Sequence, residues 1–138
     1  MKIESNTKPD NFDINIKGNS ALLFLREGII KSEKNGLVSY RWDEYEMSTI
    51  NREGLRADIE KDFPLWIATA KAVEVKLLSQ KIRDKRGALL AECDYMFTSD
   101  YPLKDRAQWA AYRQALRDIT LQKDFPTDAE FPVKPQCD

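Results

Sequence analysis

The sequence predicts an α+β fold: a small N-terminal antiparallel β-hairpin or meander, then a helical hairpin with one long helix, then an extended proline-containing tail. Three observations lead there. The runs ALLFLREGIIKS and LVSYRWDEYEM flank EKNG, whose Asn35-Gly36 pair accepts the positive φ of a two-residue hairpin turn. Beyond Ser48 the apolar spacing changes from two residues to three and four, as a change from strand to helix requires. The chain ends in KDFPTDAEFPVKPQCD, whose three prolines forbid a continuous helix.

Taken in order, residues 1–12 are polar and turn-prone and read as a disordered or loose lead-in. The β-hairpin unit is expected over 13–48, with INI at 14–16 as a short third strand. Val38, Tyr40 and Trp42 alternate with Ser39, Arg41 and Asp43, the pattern of a half-buried strand. After Asp43-Glu44 the phase moves to Tyr45 and Met47, which suggests a bulge. The helical unit is expected over 49–122. Ser48 or Thr49 is placed to cap a first helix running to Asp62, with Leu55 and Ile59 on one face. A second, long helix is expected from about Pro64 to Glu92, with Trp66, Ala70, Val73 and Leu77 as one stripe and Leu78, Ile82 and Leu89 as a slightly rotated one. A third runs from about Lys104 to Leu121, where Trp109, Tyr112, Leu116 and Ile119 form a narrow apolar arc. The tail, 123–138, is expected to lay Phe125 and Phe131 on the helices.

Composition narrows the chemistry. The 138 residues contain no histidine, which removes Ser-His-Asp and Cys-His catalysis and most transition-metal sites. No GxGxxG or GxxxxGK[ST] loop is present, so no cofactor is expected. Residues 1–50 carry 7 basic and 8 acidic side chains, net −1, and the rest of the chain is neutral at 15 against 15. That is not the basic excess that nucleic acid demands. The two cysteines, Cys93 and Cys137, make no disulfide framework, and no apolar run reaches the roughly 18–20 residues of a membrane span. The expectation is a cytosolic, non-enzymatic protein without nucleic-acid or membrane partners.

What remains is surface. Tyr40, Trp42 and Tyr45 on the hairpin are either core or an aromatic patch for a partner. Arg106, Arg113 and Arg117 line up beside the apolar arc, either as a solvated flank or as a docking face. Trp66, Trp109, Tyr112, Leu116, Ile119 and Phe125 are read as structural. Lys81, Arg83, Lys85 and Arg86 spread too widely around their helix to make one basic patch.

RGALLAECDY (86–95), PLKD (102–105), WAAYRQALRDI (109–119), the two Phe-Pro pairs and Pro135 together resemble the C-terminal domain of phage tail assembly chaperone proteins. That domain typically reads RD-x-LL, DW, a PL-containing loop, W-x-x-YRQALRD, then FP and WP. The close similarity spans about 82–135. Gly87, Tyr95, Thr120 and Phe131 depart from the pattern, and Asp105 replaces the usual cap residue one position late. The resemblance implies no catalysis. It implies a role in tail or tail-fibre assembly in the cytoplasm of an infected bacterium, with a tail or tail-fibre protein as partner and a homo-oligomer as one possible state. A small structural component kept in the tail or baseplate and a host-directed inhibitor stand as alternatives.

Overall fold

The computed structural model describes residues 1–136; Cys137 lies outside the described residues. It divides into two compact units, residues 1–74 and 75–138, with one long helix contributing to both.

Unit 1 holds a four-stranded antiparallel sheet of strands β1 (Lys2–Ser5), β2 (Phe12–Lys17), β3 (Ser20–Lys34) and β4 (Leu37–Ile50), in the order β1-β4-β3-β2. The hairpin β3–β4 closes at Asn35 and Gly36, with φ of 54° and 77°, the conformation that Asn-Gly accepts at low cost. The INI segment lies in β2. The lead-in reading of 1–12 is corrected, since Lys2–Ser5 pairs with Tyr40–Asp43 as an edge strand. Four residues are too few for alternation to show in the sequence.

The bulge also moves. Glu27 faces Asp43 and Ile30 faces Arg41, so Gly28 and Ile29 of β3 share the single partner Trp42. Gly28 takes φ 62°, a value a residue with a Cβ adopts only with strain. β4 itself runs on unbroken. The phase change after Asp43-Glu44 arises because β4 serves both faces: alternation puts Tyr40 and Trp42 on one and Tyr45 and Met47 on the other.

Tyr45 and Met47 lie on the face that carries the core. Phe12, Ala21, Leu23 and Leu25 pack there against Leu55 and Ile59 of helix α1 (Leu55–Lys61) and Ile67 and Ala70 of helix α2 (Phe63–Ala91). Each fully buried aliphatic side chain in such a cluster contributes about 1.5–3 kcal/mol. α1 starts later than expected, with Gly54 at its N-cap, because β4 continues through Ser48 and Thr49 to Ile50. On α2, Trp66 is half-buried at the margin of the core and Ala70 is inside it, whereas Leu77 is 58% exposed, so the first stripe ends before it.

Unit 2 contains the remainder of α2, helix α3 (Arg106–Asp118), and short 3-10 turns at Tyr95–Phe97 and Ile119–Leu121. Its core is Cys93, Met96, Trp109, Tyr112 and Leu116, edged by Leu89, Leu90, Phe97, Leu103 and Phe131. The arc of α3 therefore packs chiefly on the connector and the last turns of α2. Ile119 is fully buried as well. Asp105 does stand at the α3 N-cap, without a side-chain cap bond. The tail is tied back through Gln122, whose amide donates to the Glu130 carbonyl and accepts from its N–H, both at 2.8 Å.

Candidate partner-binding surface

The hairpin face turned away from the unit 1 core carries Tyr40, Trp42 and an ion network. Arg26 and Glu44 stand opposite each other across β3 and β4. Arg26 Nε donates to Glu44 Oε2 at 2.6 Å, Nη2 to Asp13 Oδ2 at 2.7 Å, and Nη1 to the Asp10 carbonyl at 3.0 Å. The Arg26 side chain is 11% exposed and that of Glu44 9%, so both charges are largely out of water. Burial works against the arginine's charge, yet the bonds to Glu44 and Asp13 outweigh it and hold the guanidinium above its ordinary range. Trp42 is only 7% exposed; its indole N–H donates to Glu44 at 3.4 Å, and the Arg26 guanidinium lies 5.9 Å from its ring centre. Trp42 thus forms the floor of this face. Tyr40, half-buried, stands beside it.

Tyr45 does not join them. It lies on the opposite face, where its hydroxyl donates to Glu27 at 3.2 Å and the Lys71 ammonium sits 5.3 Å from its ring centre. Burial first, and then the bond to Glu27, push its phenol above the usual range. Of the three hairpin aromatics only Tyr40 and Trp42 therefore share a face, because β4 has no bulge to rotate Tyr45 onto the side of Trp42.

The three arginines separate in the same way. Arg113 is enclosed: it bonds Asp94 at 2.6 Å, the Leu90 carbonyl at 3.1 Å and Cys93 Sγ at 3.1 Å, and lies 4.9 Å from the Phe97 ring centre. Arg106 stacks on the same ring at 5.3 Å, and Arg117 is exposed. Arg113 staples α3 to the connector, and its side chain is only 12% exposed. Arg83 and Lys85 sit over Phe125 and Phe131 at 5.6 and 4.3 Å, so part of the scattered basic cluster covers the aromatics of the tail. Sequence reasoning missed the Arg26–Glu44–Asp13 network and the edge-to-face pair of Tyr95 and Tyr101, 5.3 Å apart.

Trp109 is 1% exposed and meets Tyr112 edge-to-face at 5.9 Å. Burial raises the Tyr112 phenol, with Lys134 opposing and Cys93 and Glu92 reinforcing. In the unfolded chain this phenol ionises near pH ~10, and in the folded chain it does so only above that. The stability it contributes is therefore complete below about pH 10 and is lost as pH rises through the folded value. Tyr112→Phe should flatten the alkaline fall of urea midpoints measured between about pH 8 and 11. An unchanged slope would show that another group governs it.

Among the described residues no group of three His, Cys, Asp or Glu side chains is placed to hold a metal, and no helix is long and apolar enough to cross a membrane. Fold and surface together define a two-unit α+β protein, with an ion-paired aromatic sheet face in one unit and an aromatic helical core in the other. Residues 79–136 match the family described as phage tail assembly chaperone protein, and this part of the chain is phage tail assembly chaperone-like. The match contains the region resembling that family by its motifs and stops short of the sheet. Comparison with curated proteins gave no match, and comparison with solved structures gave none.

Proposed function

We propose that the chain is a non-enzymatic assembly chaperone or accessory protein that binds a phage tail or tail-fibre polypeptide in the cytoplasm of the infected bacterium. The observation that carries this reading is the family match over residues 79–136. The contact surface is the hairpin. Tyr40 offers a large, stiff, amphipathic side chain beside Trp42, the kind of residue that anchors protein interfaces. α3 and the end of α2, with Arg113 as staple and the proline-containing tail closing over them, act as a helical hairpin that keeps unit 2 rigid. Arg106 and Arg117 are the arginines of α3 left to meet a partner's carbonyls or carboxylates.

Co-expression with a tail-fibre polypeptide that is insoluble alone tests this. The fibre should become soluble, and co-elution on size exclusion would show that the two remain associated. Tyr40→Glu should weaken the association at least about tenfold, or about 1.4 kcal/mol, with the fold retained. Trp42→Glu is the wrong probe, because it places a carboxylate beside Glu44 in a buried position and damages the sheet. A fibre equally soluble without the protein would overturn the chaperone role.

A further inference from the structure

Strand β1 pairs with β4 in a chemically ordered way. Lys2 lies opposite Asp43, Ile3 opposite Trp42, Glu4 opposite Arg41 and Ser5 opposite Tyr40. Basic meets acidic, apolar meets aromatic, acidic meets basic. Exchanging the two charges of the incoming strand would set like charges opposite each other at both positions, which destabilises antiparallel pairs.

β1 is short, and Met1 carries its pairing one residue further: the ammonium donates to the Glu44 carbonyl and the Met1 carbonyl accepts from the Glu44 N–H, both at 2.7 Å. The strand has four residues, with Lys2 and Glu4 exposed and Ile3 and Ser5 only half-buried, whereas β4 has fourteen. The polar segment 6–11 joins it to β2. On either side of the β1 footprint the outer edge of β4 continues, through Val38 in one direction and through Glu46 and Ser48 in the other, and among the described residues no strand pairs with it there. A groove of about 420 Å³ runs beside the pairing, lined by Lys2, Glu4, Arg41, Asp43 and Ile30 among others.

We propose that the Tyr40–Asp43 edge of β4 is a strand-accepting site, that its partner is an extended tail-polypeptide segment reading basic–apolar–acidic from N to C, and that β1 occupies the site until that segment replaces it. The proposal rests on the reading of the hairpin as the tail-polypeptide contact. An incoming strand longer than β1 gains backbone hydrogen bonds along β4 that β1 leaves unmade. Its apolar residue takes the place of Ile3 against Trp42, and its charges face Asp43 and Arg41 along the groove.

The probe is a fluorescein-labelled synthetic peptide of residues 1–8, with a second peptide in which Lys2 and Glu4 are exchanged. Binding is read by anisotropy on the full-length chain and on its Ile3→Glu variant, where a carboxylate opposite Trp42 disfavours β1. The first peptide should bind the variant at least tenfold more tightly than the unaltered chain, and the charge-exchanged peptide should lose at least tenfold. Equal affinity of the two peptides, or no binding to a variant whose circular dichroism is unchanged, would overturn the proposal. Amide exchange of the unaltered chain supplies a readout without any substitution: Ile3 and Ser5 should exchange at least about a hundredfold faster than Leu23. Equal protection would mean that β1 does not leave its site. Neither readout uses a tail polypeptide, so failure of the strand site leaves the assembly role standing, and failure of the co-expression test removes the tail polypeptide as occupant while leaving the strand-accepting edge itself standing.

Discussion

Trp109→Ala should unfold unit 2 and leave unit 1 folded. The indole is fully buried among Cys93, Met96, Tyr112 and Leu116, and its truncation removes the largest side chain of that cluster. Large-to-small changes at such sites cost about 3–5 kcal/mol, the transfer term plus the cavity left behind. A helical unit of this size draws only about 3–5 kcal/mol from its core, so the loss matches everything that holds it. The residues of unit 1 cluster separately around Leu23, Leu25 and Ile59. Amide NMR spectra should therefore keep the dispersed strand resonances of residues 2–50 while those of 92–121 collapse to unfolded positions. Loss of both sets together would show that the two units fold as one. The same substitution tells which unit carries the interaction with a tail polypeptide, because the hairpin surface would remain intact on a chain whose chaperone-like part had melted.

How much of this was legible in the sequence follows from the range of each signal. Asn35-Gly36 specifies its turn locally, and the long helix and the arc of α3 repeat their period often enough to stand out, so the hairpin, α2 and α3 lie close to their expected places. β1 has four residues and pairs with residues about forty positions away, and neither fact leaves a periodic trace. The ion network was hidden by one residue of register. Counted back from the turn, where Lys34 faces Leu37, Arg26 would stand opposite Tyr45; the extra residue at Gly28–Ile29 sets it opposite Glu44. A Gly in the middle of a strand run was the available sign of that bulge, and the apolar phase change on the other strand drew attention away from it. Arg113 was readable as lying beside an apolar arc, but its bonds to Asp94 and the Leu90 carbonyl depend on how the connector folds back. The motif spacing that resembles the phage family carried information of a different kind: it located the chaperone-like part to within a few residues of the family match without saying anything about the sheet.

Arg26→Ala should cost about 3 kcal/mol, at the low end of what a buried ion pair loses when one partner is removed, because the Asp13 arm of the network is exposed. What remains is a Glu44 carboxylate in a largely water-free position with one long bond from the Trp42 indole. The cost therefore belongs mainly to the abandoned charge and not to the attraction that was lost. Two consequences separate this account from simple loss of packing. Arg26→Met, which keeps the bulk of the stem, should be nearly as harmful as Arg26→Ala. Arg26→Met combined with Glu44→Leu should recover most of the stability, since replacing both members of a buried pair with apolar side chains is often neutral or better. Urea denaturation of the single and double variants measures the coupling directly. If the double variant is as unstable as the sum of the singles, the pair is not acting as a unit. If instead it recovers stability but associates poorly with a tail polypeptide, the network serves the surface, holding Trp42 and Tyr40 in place at the edge where β1 and a partner strand compete.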